Sequence, residues 1–243
     1  MSEPANSNYG QLFLIPSPLG PTDANNSLPP AVIEQVQGID LFIVEQMPSA
    51  VKFLSWLNHP KPSYELTFFQ LNKHTAPREM VSYLSELKNG RDAGIISEAG
   101  APGVADPGAK LVAMAHSQHI NVIPLVGPSS ILLGLMASGL NGQSFCFHGY
   151  LPRSSSKRRS TIKEIEQSSR KHNRTELFIE APHRNDELAA DIIRTCNHNT
   201  KFCTCSNLTL PDEQIISKPI YWWQQQNGPQ LGKKPTLFLL YAS

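Results

Sequence analysis

Apolar positions in the first half of the chain come in short, nearly unbroken runs. They are LFLIP at 12–16, LFIVE at 41–45, LTFFQ at 66–70, GIIS at 94–97 and NVIPLV at 121–126. Runs of this length without polar alternation are what strands buried on both faces produce. The stretches between them carry helical spacing at 30–37, 49–57, 77–88, 108–118 and 129–138. In the fourth, Leu111, Val112 and Ala115 fall at i, i+1 and i+4 and make an apolar face. Strands alternating with helices predict a mostly parallel sheet covered on both sides.

The second half has a different rhythm. SFCFHGYLP (144–152) reads as a strand and a turn, and the polar, basic stretch 153–174 follows it. TELFIEAPH (175–183) reads as a strand that ends in a proline turn, and 184–195 as a helix. KFCTCSNLTL (201–210) and PTLFLLYA (235–242) are further strands. Together they predict a second α/β domain with a mixed sheet. The boundary is expected near 148–152, giving an N-terminal domain 1–148 and a C-terminal domain 149–243. No repeat of fixed period is found.

A chain of 243 residues can bury a sizeable core without staples. Its net charge of +1 creates no overall field, so affinity for a polyanion has to come from a local patch. Cys146, Cys196, Cys203 and Cys205 make no CxxC pair and no metal-ligand spacing. Buried, reduced thiols and no metal are therefore expected. MSEPANSNYG lacks the basic and apolar regions of a signal peptide. No apolar stretch reaches the roughly 18 residues of a spanning helix. A cytoplasmic protein without a membrane partner is expected.

Three Gly- and Pro-rich loops follow apolar runs: PSPLGP (16–21), SEAGAPGVADPG (97–108) and VGPSS (126–130). In an open parallel sheet, loops after the strands share the carboxyl edge and form the binding crevice. Gly100 and Gly103 leave backbone groups open to a ligand. Ser129 and Ser130 stand where helix N-caps stand. No GxGxxG follows the first strand and no GxxxxGK[ST] occurs, so a phosphate-clamping lysine is not expected. The ligand is expected to be neutral or cationic. Asp106 has two compatible readings: a cap for the helix that starts at Pro107, or an anchor for a cationic group.

LFLIPSPLG, ISEAGAPGVADPGAKLV, VIPLVGPSSILLGLMASGL, FHGYLP and FIEAPHR occur in this order from about residue 11, and the likeness they carry extends to 195. As a set they resemble the ribosomal RNA small-subunit methyltransferase I family, within the wider tetrapyrrole methylase superfamily. The resemblance implies two α/β domains, a homodimer, and S-adenosylmethionine folded into the cleft between domains. It implies Ser97, Glu98, Ala99, Gly100, Val104, Asp106, Ser129 and Ser130 as cofactor contacts. The implied activity is 2′-O-methylation of a cytidine in 16S ribosomal RNA. Four motifs depart from the family pattern, the first of them also with Ala101 in place of a threonine. Glu98 stands for an aspartate and Pro21 for an asparagine. Glu45-Gln46-Met47-Pro48 replaces Glu-Asp-Thr-Arg, and Asn207-Leu208-Thr209-Leu210 replaces Glu-Leu-Thr-Lys.

Methyl transfer from a sulfonium needs no metal, and the protein's main task is to align the acceptor. A hydroxyl acceptor gains from a general base. Glu180 and His183, on either side of the turn in IEAPHR, are the candidates, and Glu45 is a third. The structural alternatives are an ion pair between Glu180 and Arg184, and a helix-start position for His183. Lys157, Arg158 and Arg159 are candidate RNA contacts; the alternative is a solvated charge run. Two other functions compete with the RNA reading: methylation of a tetrapyrrole-like small molecule, and non-catalytic binding of cofactor or RNA.

Overall fold

The computed structural model of the protein describes residues 8–21 and 27–243. The reading of the N-terminus as lacking a signal peptide rests partly on residues 1–7, which lie outside the described residues. The chain divides into two compact units, Met1–Ser129 and Ser130–Ser243.

In the first unit β1 (Leu12–Ile15), β2 (Leu41–Val44), β3 (Thr67–Gln70), β4 (Ala93–Ile96) and β5 (Val122–Pro124) alternate with four helices. These are α1 (Pro30–Gln37), α2 (Met47–Trp56), α3 (Pro77–Lys88) and α4 (Gly108–Ser117). The sheet order is β3-β2-β4-β1-β5 and every pairing is parallel. The apolar runs have the reason expected of them. Phe13, Ile15, Phe42 and Val44 face one core with Val36, Phe53 and Leu54. Leu12, Leu41, Ile43 and Ile95 face another with Leu84, Leu87 and Leu111. Both faces are covered, so neither set of alternate positions is free to be polar.

The second unit contains α5 (Ser130–Ser138), β6 (Phe145–Tyr150), α6 (Ser155–His172), β7 (Thr175–Ile179) and α7 (Asn185–Thr195). It continues with β8 (Lys201–Ser206), β9 (Gln214–Pro219), α8 (Ile220–Gln225) and β10 (Thr236–Tyr241). The sheet order is β6-β7-β10-β8-β9; β6 and β7 run parallel and the other pairings are antiparallel. The mixed sheet is as expected.

The division falls earlier than the 148–152 expected from sequence. β6 pairs with β7, so it belongs to the second sheet. α5 lies on the same sheet at close range: a β-carbon at Gly134 would stand 2.4 Å from Leu237 Cδ2 and 3.4 Å from Cys205 Sγ. Strand and helix alternate across residue 129 without a change in composition, so pattern alone carried the first domain too far. β9 and α8 were not anticipated. QIISKP has only two adjacent apolar residues, because β9 is an edge strand and mostly half-buried.

The basic stretch forms the 18-residue α6. Its buried positions are Arg158, Ile162, Ile165, Glu166 and Ser169, a stripe at helical spacing that includes two charged residues. Among the described residues no helix is long and apolar enough to cross a membrane.

Candidate active site

Parallel register levels the strand ends. Ile15 of β1 lies beside Ile96 of β4, and Ile96 beside Val44 of β2. The residues that follow, Ser17, Ser97 and Glu45, therefore emerge on one edge. The 16–21 and 97–108 loops are tied to each other directly. Ser17 and Gly100 exchange backbone hydrogen bonds of 2.9 and 3.0 Å. Ser17 Oγ donates to the Ser97 carbonyl at 2.7 Å, and Ser97 Oγ donates to the Gly100 carbonyl at 2.8 Å.

Gly100 holds φ +74°, and a β-carbon there would stand 3.3 Å from Leu19 Cδ2 and 3.7 Å from the Pro128 carbonyl. The third loop is held as closely. A β-carbon at Gly127 would meet Pro16 Cβ at 2.5 Å. Small residues in these loops thus serve loop-to-loop packing as well as ligand access.

The 97–108 loop turns on Asp106. Its Oδ1 accepts from the backbone N–H of Gly103 and of Gly108, both at 2.8 Å. Gly108 is the first residue of α4, the start expected from the 108–118 stretch; Pro107 is the N-cap residue, and Asp106, one residue before it, accepts from the first N–H of the helix. Burial pushes the Asp106 carboxyl above the ordinary range, and the two backbone hydrogen bonds oppose the shift. Glu45 is raised as well, by burial first and then by the negative charges of Glu98 and Asp106. Three carboxylates thus share one edge of the sheet, and the charges of Glu98 and Asp106 disfavour that of Glu45, a donor set suited to a cation.

A cavity of about 260 Å³ opens beside them. Its walls are the 17–21 loop, Ser97, Glu98 and Ala99, and one face of α2 that brings Ser49, Lys52, Phe53 and Trp56. Lys52 Nζ lies 4.9 Å from the centre of the Trp56 ring. Sequence reasoning missed this wall, although positions 49, 52, 53 and 56 share a helix face at i, i+3, i+4 and i+7.

Other predicted residues fall elsewhere. Val104 is exposed at the tip of its loop. Ser129 ends the first unit and Ser130 begins α5 in the second. Glu180 follows β7 and is buried; its Oε1 accepts from Ala181 N–H at 2.7 Å and pairs with the Arg184 guanidinium. The ion pair offered as the alternative for Glu180 is the arrangement found; it engages Oε1, and Oε2 is buried without a hydrogen-bond partner. His183 is exposed in the single helical turn Pro182–Arg184.

Arg158 requires a correction. It is fully buried, and its Nε and Nη2 donate to Asp191 Oδ2 at 2.8 and 2.6 Å. Nη2 also reaches Glu187 at 2.6 Å. A guanidinium enclosed in this way fastens α6 to α7 and is not available to RNA. Lys157 and Arg159 remain exposed on either side of it.

The model of the tetrapyrrole (corrin/porphyrin) methylases matches residues 18–221. The chain belongs to the tetrapyrrole methylase family. Its methyl donor is S-adenosylmethionine, and the protein is an S-adenosylmethionine-dependent methyltransferase. The open loop backbones and the three carboxylates fit a ligand that carries a sulfonium and an amino group. Among curated relatives, the ribosomal RNA small subunit methyltransferase I of Escherichia coli O157:H7 is 29% identical over 216 residues, 89% of this chain and 71% of the relative. Among solved structures, the methyltransferase CobJ superposes with a TM-score of 0.63 at 16% identity, over 96% of this chain and 95% of that one. A uroporphyrin-III C-methyltransferase from Thermus thermophilus, complexed with S-adenosylhomocysteine, gives 0.57 at 14% identity, over 96% and 97%. Both similarities are in fold.

Proposed function

We propose that this methylase acts on ribosomal RNA of the small subunit, transferring a methyl group to the 2′-oxygen of a cytidine in 16S RNA. The reading is supported above all by curated relatives that align over 85% or more of the chain and carry the name ribosomal RNA small subunit methyltransferase I. The exposed cations of α6, Lys157 and Arg159, supply the local patch that a protein of net charge +1 needs to hold a phosphate backbone. The cytoplasm is the corresponding compartment, and a homodimer the corresponding assembly. α5 supports the dimer: it is apolar all round, and Leu132 and Met136, one turn apart, are 54% and 78% exposed.

Bound S-adenosylmethionine supplies an already activated methyl group. The protein's part is to hold, orient and desolvate. Ala99 offers backbone groups, and Ser97 and Gly100, whose own backbone bonds hold the loop to Ser17, a shallow wall to the donor. Glu45, Glu98 and Asp106 balance its positive charge. His183, on an exposed turn, is the candidate to take the proton of the acceptor hydroxyl. Glu180 holds Arg184 and positions that turn. The test is methyl incorporation from labelled S-adenosylmethionine into 16S RNA, with uroporphyrinogen as the competing acceptor. Label in RNA supports the proposal. Label in the tetrapyrrole alone overturns it.

A further inference from the structure

The second unit carries a group of side chains that methyl transfer does not use. Cys146 and His148 are two residues apart on β6, so both leave the same side of the strand. The parallel register sets Cys146 directly against Glu176 of β7. The ladder then shifts register between Phe147 and Tyr150, a bulge at the edge of the sheet that re-aims the intervening side chains. The result is convergence. One ligand atom from each of Cys146, His148 and Glu176 lies within 4.8 Å of the other two.

The carboxylate at the centre is fully buried, yet its two oxygens are turned to different tasks. Oε1 accepts from Arg174 Nε at 2.7 Å. Oε2 lies 2.6 Å from His148 Nε2. Arg174 is itself fixed by a 2.8 Å bond from Nη2 to Ser168 Oγ on α6. Arg174 and His148 together satisfy the two oxygens of the buried carboxylate, as a buried charge requires. The imidazole keeps about a quarter of its side-chain surface in solvent, which leaves an entry path.

We propose that Cys146, His148 and Glu176 form a binding site for a divalent ion of the zinc class. One thiolate, one imidazole and one carboxylate make a mixed soft and hard donor set that suits zinc and excludes calcium and magnesium. Small side-chain rotations bring the three donors to the roughly 2.0–2.3 Å that zinc requires, with water in the fourth position. Arg174 supplies the outer hydrogen bond that orients a ligating carboxylate. On binding, the S–H bond of Cys146 breaks, its proton leaves to solvent, and the thiolate forms the metal–sulfur bond; the hydrogen bond between His148 Nε2 and Glu176 Oε2 opens, and its proton also leaves Nε2, to solvent from the imidazolium or to Nδ1 in the neutral ring, so that the freed nitrogen and oxygen can bind the metal. Spacing along the chain did not reveal the set, because the third ligand comes from the neighbouring strand.

The test uses the full chain, stripped with a chelator and titrated with cobalt(II), whose thiolate charge-transfer absorption reports sulfur coordination. One cobalt per chain with that absorption is expected, reversed by added zinc. Cys146→Ser abolishes the band, and His148→Ala weakens cobalt binding at least about tenfold. Cys196→Ser, a change at a buried thiol outside the cluster, leaves the titration unchanged. Far-ultraviolet circular dichroism of each variant checks folding. No thiolate band in the parent chain overturns the proposal. So does a band that survives Cys146→Ser, or unchanged affinity in His148→Ala.

Discussion

Replacing Arg158 by alanine separates a structural cation from an RNA contact. In the folded protein Arg158 has no exposure, and the Asp191 side chain has 4%. Removing the guanidinium takes away hydrogen bonds of 2.8 and 2.6 Å to Asp191 and leaves that carboxylate buried. Breaking one side of such a pair costs about 3–5 kcal/mol. The lower part of that range applies, because Ser155 Oγ at 3.1 Å and Arg159 Nη1 at 3.4 Å still reach Asp191. The bond to Glu187 adds little, since that side chain is 57% exposed. Urea unfolding followed through Trp222 and Trp223, both in the second unit, reads the loss. The companion Arg158→Ala/Asp191→Ala double variant should lose clearly less than the sum of the two single changes. A loss below about 1 kcal/mol, the range of an exposed pair, would refute the enclosed-pair argument. So would additive single and double variants.

Lys157→Ala/Arg159→Ala should flatten the salt dependence of RNA binding by about 1.4 in the log–log slope, at about 0.7 per contact for a single strand, and cost less than about 1 kcal/mol of stability, since Arg159 is a half-exposed partner of Asp191; binding across a salt series measures it. Ala99→Phe fills the cavity beside the 97–108 loop from an exposed position, so S-adenosylhomocysteine affinity by calorimetry should fall more than about tenfold, on the order of 1.4 kcal/mol, while the unfolding midpoint holds. Glu45→Gln tests the carboxylate group through pH. A carboxyl raised in the folded state binds its proton more tightly folded than unfolded. Stability therefore declines as pH rises from the ordinary carboxylate value through the folded one. The variant should match the parent in acid and melt above it at neutral pH, as read by thermal unfolding at both; a lower neutral-pH melting temperature contradicts the shift.

The parallel sheet was legible because double burial leaves no polar position on β1, β2 and β4, and the loops after those strands were legible because small residues cluster there. The wall supplied by α2 was not, since Phe53 and Trp56 look like core residues until the 17–21 loop is seen opposite them. Arg158 was misread for a related reason. A cation within Lys157-Arg158-Arg159 looks solvated, and only the helical phase relative to Ile162 and Ile165 turns it inward. Asp191 and Glu187, its partners, lie about thirty residues away in sequence. The division of the units was hidden by a strand-helix alternation that continues through it. The Cys146, His148 and Glu176 cluster depends on register between strands, which one-dimensional spacing does not encode.

Nucleoside mass analysis of 16S RNA tests the central claim most directly. Small subunits from cells lacking this protein are incubated with the purified chain and S-adenosylmethionine, and the RNA is digested to nucleosides. The account predicts one additional 2′-O-methylcytidine per RNA, absent without the protein or the cofactor. An RNA mass unchanged by active, cofactor-binding protein would contradict it, as would a methyl group on a base instead of the ribose.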